Sequence, residues 1–199
     1  MEQYIKVLKS YFKMTSDLQD YLREKVKPIS FSNGTIIQEP GKLSKHIYFI
    51  EKGIVRMYNG GSTLLFRKEN DFILSYFSNV PDFAFVPPGV EALEDVTAWD
   101  FTTEIIDSAC DRFPEFNAHL RIMMQKYIVA TTQVNEFLRD GDGAGLYDHL
   151  RKETPDVLDR VSSVHLASFL GVPEQVFLHM KNSNIRTPMS LKRPRRKRS

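Results

Sequence analysis

The stretch Ser163–Asn182, SVHLASFLGVPEQVFLHMKN, decides how this chain is read. Two apolar segments of helical period meet at Gly171, and small Ala167 lies four residues before it, where crossing helices must approach closely. Glycine takes a positive φ without steric cost, which a tight turn between two roughly perpendicular helices requires. Leu166, Leu170, Val172, Phe177 and Met180 fall where such a pair buries its side chains. Pro173 and Glu174 suit the first turn of the second helix: proline gives up a donor that is orphaned there, and glutamate complements the helix dipole. A plain helical hairpin inside a core would share the periodicity. The joint placement of small, glycine and apolar residues favours a helix-turn-helix that offers its second helix to DNA.

Beyond that motif the chain turns basic. Lys192, Arg193, Arg195, Arg196, Lys197 and Arg198 crowd the last eight residues, and without these six the remaining 21 basic residues face 25 acidic ones. The net charge of +2 therefore hides an acidic body and a basic end beside the motif. Such a tail attracts phosphate without sequence information and with strong salt dependence; a solvated, idle tail is the other reading. Cutting the chain after Leu191 is expected to weaken DNA binding on every sequence and to flatten its salt dependence. Titrations over a series of salt concentrations measure that slope.

The 199 residues can hold one large domain or two small ones, each with a real core. Composition is that of a soluble protein, 42% apolar and 26% charged, and no apolar run reaches membrane-spanning length. The N-terminus, MEQYIKVLKSYFK, is charged and amphipathic rather than signal-like. Cys110 is the one cysteine, so neither an intrachain disulfide nor a thiolate metal cage can form. The expected location is the cytoplasm, with no membrane partner.

Residues 1–31 read as helical, with Ile5, Leu8 and Phe12 on one stripe and Leu18, Leu22 and Val26 on another; Thr15-Ser16-Asp17 offers a cap between them and Pro28 ends the pattern. From Phe31 to Phe101 short β-prone segments alternate with turns at Asn33-Gly34, Pro40-Gly41, Gly53, Asn59-Gly60-Gly61 and Pro87-Pro88-Gly89, which predicts an antiparallel sandwich or roll. HIYFIEKGIVRMYNGG is the clearest case, two strands about a glycine closing on a hairpin-prone turn. After Pro114 the residues Phe116, Leu120, Met123, Tyr127, Ala130, Val134 and Phe137 recur at alternating steps of four and three, an a/d seam of three heptads. That seam either packs on its own domain or meets a second copy. A homodimer is favoured, because a helix-turn-helix works on paired half-sites. The helix should end near Asp140–Gly145, a hinge. Asp140 and Asp142 are spaced as in a calcium loop, but the twelfth position is Arg151 where a bidentate glutamate is needed.

In this order of parts the whole chain resembles the Crp/Fnr group of bacterial transcription regulators, especially its short Bacteroidetes-type branch. The matching pieces are GTIIQEPGKLSKHIYFIEKGIVRMY, FRKENDFILSYFS, VEALEDVTAW and RVSSVHLASFLGVPEQVF. The resemblance implies an α+β chain. Residues 1–112 would form N-terminal helices and an antiparallel, cyclic-nucleotide-binding-like β-roll or jelly roll that senses. Residues 113–140 would form a long dimerisation helix, 141–187 a helix-turn-helix domain and 188–199 a basic tail.

Two departures from the family pattern bear on mechanism. Relatives that bind cyclic nucleotides carry a Phe-Gly-Glu element for the ribose and an Arg followed by small residues for the phosphate. Here Ser75-Tyr76-Phe77 and Val86-Pro87-Pro88 stand at those places, and no Glu or Arg occurs from Ile73 to Gly89. A buried phosphate without a fixed cation is desolvated with no charge-assisted hydrogen bond to offset it. Calorimetry is therefore expected to show no micromolar site for cyclic AMP or GMP. Phe72, Tyr76, Phe77, Phe83, Phe85 and Val86 would instead line a pocket for a less polar, unidentified small-molecule effector, or simply fill the roll. In the second helix, Leu178 and His179 replace the branch's usual Ser-Arg pair. The outward face would be Glu174, Gln175, Leu178, His179 and Asn182. Gln175 and Asn182 suit adenine, His179 guanine and Leu178 a thymine methyl, with Lys181 and Arg186 adding charge.

The leading expectation is a homodimeric DNA-binding regulator whose partners are double-stranded DNA and a second copy of itself. The alternative is a degenerate member serving as a protein-interaction module, which Leu178 at a normally polar position favours. No enzyme is expected: there is no Ser/His/Asp or Cys/His constellation, no phosphate-cradling glycine loop and no reasoned carboxylate pair. His46, His119, His149, His165 and His179 are scattered without ligand spacing, and no cofactor or metal is expected.

Overall fold

The structure, a computed structural model, describes residues 2–74 and 87–183. Two compact units divide after Val129. The first opens with α1 (Gln3–Tyr11) and α2 (Ser16–Lys25), then β1 (Lys27–Phe31), β2 (Ile36–Gln38), β3 (His46–Lys52), β4 (Val55–Asn59), β5 (Ser62–Arg67), β6 (Phe72–Leu74), β7 (Gly89–Ala92) and β8 (Val96–Thr102). It continues into α3 (Thr103–Arg112) and α4 (Pro114–Arg139), and α4 runs on into the second unit. The second unit adds α5 (Gly143–Glu153), α6 (Pro155–Arg160), α7 (Ser163–Leu170) and α8 (Glu174–Ser183).

The strands form two four-stranded sheets, ordered β1-β8-β3-β6 and β2-β7-β4-β5, and every described pair is antiparallel. Of the antiparallel sandwich or roll expected from the turn spacing, this is the roll, in the α+β chain that the resemblance implies. Its β region begins at Lys27 rather than Phe31, because Val26 already caps α2 in extended conformation. Pro28 lies inside β1, which a missing donor permits since β1 is an edge strand. The β4–β5 hairpin closes across Asn59-Gly60-Gly61 as its residues suggest. β3 and β4, however, do not pair; they belong to different sheets, and Gly53 is the crossing point. Gly53 has φ +106°, and a Cβ there would lie 2.8 Å from the Asp95 carbonyl oxygen, so no other residue fits this corner without displacing backbone.

Side-chain alternation in β3 sets up two layers. Ile47 and Phe49 face a cluster built from Tyr4, Ile5 and Leu8 of α1, Leu18 and Leu22 of α2, Phe72, Phe101, Ile106, Phe116 and Met123. Tyr4 makes ring contacts with Trp99, Phe101 and Phe49 at centroid distances of 5.2, 5.4 and 6.2 Å. Tyr48 and Ile50 point the other way and are buried, as are Val55, Met57, Val90 and Ala92 of the second sheet. Burying each large apolar side chain contributes about 1.5–3 kcal/mol, so the helical layer adds to the stability of this unit. Phe12, expected on the α1 stripe, follows the helix as its cap and remains 37% exposed.

Candidate nucleic-acid interface

Within the second unit, the turn at Gly171 adopts the geometry its sequence asks for. Ser162 caps α7 by accepting from the His165 N–H at 3.4 Å. Gly171 ends the helix with φ 66° and ψ 30°, left-handed, and the Val172 N–H returns to the Ala167 carbonyl at 3.1 Å. That is a Schellman closure, in which glycine costs least. α8 then starts after Pro173, whose carbonyl accepts from Val176 and Phe177 at 3.0 and 3.1 Å. Leu166, Ala167, Phe169, Leu170 and Phe177 are buried, while Val172 and Met180 are half-buried. Phe177 packs edge-on against Tyr147 of α5 at 6.1 Å. A Cβ at Gly143 would come within 2.8 Å of Val172, so α5 presses directly on the turn.

This packing leaves one side of α8 outward. Glu174, Gln175, Val176, Leu178, His179 and Asn182 are exposed, with Val176 and Leu178 at 45% and 41%. Val164, in the first turn of α7, is 57% exposed. The five residues expected on the outer face are therefore all exposed on α8, and Val164 and Val176 are exposed as well. Exposed apolar residues at a helix N-terminus are indistinguishable from core positions in sequence, which is why those two were not signalled. Lys181 differs from expectation. Its Nζ donates to the Leu158 carbonyl at 3.1 Å, which turns the ammonium back onto α6 instead of forward to a phosphate. Arg186 and the basic tail lie outside the described residues. Glu174 accepts a hydrogen bond from the Ser163 hydroxyl, which ties the first residue of α8 to the first residue of α7.

The expected effector pocket is not reproduced where it can be checked. Phe72 is 7% exposed and packs on Phe49 and Phe101 at 5.0 and 5.9 Å, so it belongs to the layer under α1 and not to the roll interior. The pairing of Phe72 with Phe49 in register puts both on the helix-facing side of the sheet. Tyr76, Phe77, Phe83, Phe85 and Val86 lie outside the described residues.

The expected dimer seam also needs correction. Phe116 and Met123 are 1% and 5% exposed and sit inside the core of their own unit, with Leu120 packed against it. Tyr127 lies under the Arg67 guanidinium at 5.3 Å, Ala130 is half-buried, Val134 is buried, and Phe137 rests on His149 at 5.7 Å. The seam read from the sequence is thus the face that α4 keeps for its own chain. The stripe one residue later is the exposed one: Met124 at 52%, Ile128 at 60% and Leu138 at 36%, with Val129 beside it at 56%. Positions 121, 124, 128, 131, 135 and 138 also alternate steps of three and four, but with fewer large side chains, and the richer stripe masked them.

Among the described residues, no group of three or more His, Cys, Asp or Glu side chains is placed to hold a metal ion, and no helix is long and apolar enough to cross a membrane.

No protein-family model matches the chain, and no curated protein matches it. Solved structures do. A transcriptional regulator of the Crp/Fnr family from Eubacterium rectale superposes with a TM-score of 0.67 at 15% identity, covering 90% of this chain and 86% of that one. The c-di-GMP-responsive global regulator CLP of Xanthomonas campestris gives 0.64 at 13% identity, over 83% and 89% of the two chains. FixK2 of Bradyrhizobium japonicum gives 0.62 at 11% identity, over 78% and 82%. The fold is that of the Crp/Fnr transcription regulators.

Proposed function

We propose that this chain is a homodimeric, DNA-binding transcription regulator of the Crp/Fnr type and not an enzyme. The observation that carries the reading is the outward face of α8. A left-handed Gly171 and a buried Phe177 fix the helix to its unit, while Gln175, Leu178, His179 and Asn182 are left exposed on one side. Amides, an imidazole and a leucine in the major groove can read adenine, guanine and a thymine methyl. The exposed stripe of α4 supports pairing with a second copy, which would present two such helices to a two-fold-related site. α8 carries little free positive charge of its own, so phosphate attraction falls to Arg186 and to the basic tail. The roll is the sensing unit. Between Ile73 and Gly89 the sequence supplies no Arg or Lys for a cyclic nucleotide's phosphate, and any effector acts by binding one arrangement of the dimer better than the other.

Selection from a random duplex library at fixed salt, followed by footprinting, tests the reading. A protected, two-fold-symmetric site is expected. Recovery of no preferred sequence would favour the second reading, a protein-interaction module, which the exposed Val164, Val176 and Leu178 support.

A further inference from the structure

Arg67 is a cation that the first unit leaves without a matching acid. It ends β5 half-buried, and its guanidinium lies over the Tyr127 ring of α4 at 5.3 Å. Its Nε is enclosed with no hydrogen-bond partner, and among the described residues no carboxylate forms an ion pair with it. A cation–π contact offsets part of the lost hydration, but it satisfies none of the guanidinium's five N–H donors. The same roll shows the usual solution on β4 and β7, where Arg56 meets the Glu91 carboxylate at 2.6 Å.

Lys126, one residue before Tyr127, sets its Nζ over the Tyr11 ring at 5.0 Å, so two cations and two aromatic rings gather where the ends of α1 and β5 meet α4. Burial raises the pKa of both tyrosines; Asp71 adds to the rise at Tyr11, and the Arg67 charge opposes it at each. Asp71 is the acid in range, but its Oδ2 is turned to the Lys68 N–H at 3.1 Å. Asn70 beside it is left-handed, φ 72°, and accepts from the Gln3 amide at 2.9 Å, which ties that turn to α1 and holds Asp71 in place. Lys68 and Glu69 of the turn offset each other. One acid against two cations leaves one positive charge in excess. A singly charged oxyanion balances it, whereas a doubly charged phosphate would overshoot and face Asp71. With Nε enclosed, the two Nη groups are the donors left, and their end-on fork matches the two oxygens of a carboxylate. The tyrosine rings offer apolar faces to the body of such a molecule.

We propose that Arg67 binds a small organic carboxylate end-on through its two Nη groups, beside the Tyr11 and Tyr127 rings where α1, β5 and α4 meet. Its residues are none of those at the places where the resemblance puts a cyclic nucleotide's ribose and phosphate, Ser75-Tyr76-Phe77 and Val86-Pro87-Pro88. Nor does the site depend on what α8 reads.

The test is titration of benzoate into the full chain without DNA, followed by NMR at an ionic strength held constant with sodium chloride. Saturable binding at one site per chain is expected, with inorganic phosphate about tenfold weaker because its second charge faces Asp71. Arg67→Gln should weaken benzoate about a hundredfold, and Arg67→Lys, which keeps the charge and loses the fork, about tenfold. Arg121→Gln, which removes an exposed cation from the same helix as Tyr127, should change nothing. Thermal melts check that the variants stay folded, and the lysine variant carries the test should the glutamine variant be unstable. Benzoate that does not saturate, phosphate that binds as tightly, equal affinity in the parent and the Arg67 variants, or an equal loss with Arg121→Gln each overturns this inference. The regulator reading is left untouched by any of these results, since selection from the duplex library tests it separately.

Discussion

Ile128→Glu is expected to turn the protein into a monomer of 23.0 kDa in sedimentation and to lower its affinity for a full two-fold site by about 10²–10⁴, while half-site binding is unchanged. Ile128 is 60% exposed near the middle of α4, where a two-fold axis would set the residue against its own copy. Each buried isoleucine contributes about 1.5–3 kcal/mol to such a pairing. The variant removes both contributions and places two carboxylates face to face. Met124→Glu, one helical turn away, should act the same way. The neighbouring Met123→Glu should do something different. Met123 is 5% exposed and packs in the core with Phe116 and Phe72, so a carboxylate there would be buried unpaired and would unfold the first unit. Adjacent methionines thus separate assembly from folding. A protein that remains dimeric with glutamate at 124 and at 128 would place the pairing surface elsewhere.

That pair of methionines also marks the limit of sequence reading. A 4-3 repeat states that a helix buries one stripe; it does not state against what. Two adjacent stripes of α4 repeat in that way, and much of the richer one is spent inside the chain, Phe116 and Met123 in the core under α1 and Phe137 on α5. The same ambiguity hides in Phe72, whose aromatic ring suits a ligand pocket and an intramolecular layer equally. Its placement depends on the register with β3, a non-local pairing. Lys181 looked like a phosphate ligand because its charge is visible in sequence and the Leu158 carbonyl that captures it is 23 residues away. What was legible is local and stereochemical. A left-handed turn needs a glycine at 171, a helix start wants Thr15, and a hairpin closes on Asn59-Gly60-Gly61. Those requirements act within a few residues, so the turn at Gly171 and the start of α8 after it are legible without any tertiary contact.

His119→Leu is expected to flatten the acid side of the stability curve. His119 is fully buried on α4, its ring 6.1 Å from Phe12 and 6.4 Å from Phe116, and neither ring nitrogen has a hydrogen-bond partner. Burial holds its pKa below the usual 6.5; the Lys13 and Leu8 carbonyls and the Glu115 carboxylate favour the charged form, the carbonyls without reaching hydrogen-bond geometry, and burial outweighs them. The unfolded chain therefore binds a proton that the folded chain refuses. Stability from this residue is complete above the unfolded pKa of 6.5, falls as pH drops from there through the lowered folded value, and then levels off. Leucine has a similar volume and no proton to take up. It should remove that slope and, by relieving an orphaned buried polar ring, add about 1–3 kcal/mol at neutral pH. Urea unfolding at a series of pH values from neutral to mildly acidic measures both effects. Equal acid slopes in the two proteins would show that His119 is not the group that titrates. The consequence for function follows from where the ring sits. The ring packs against the cap of α1 and lies one turn before Met123 and Met124, so proton uptake there is expected to weaken the contact between α1 and α4.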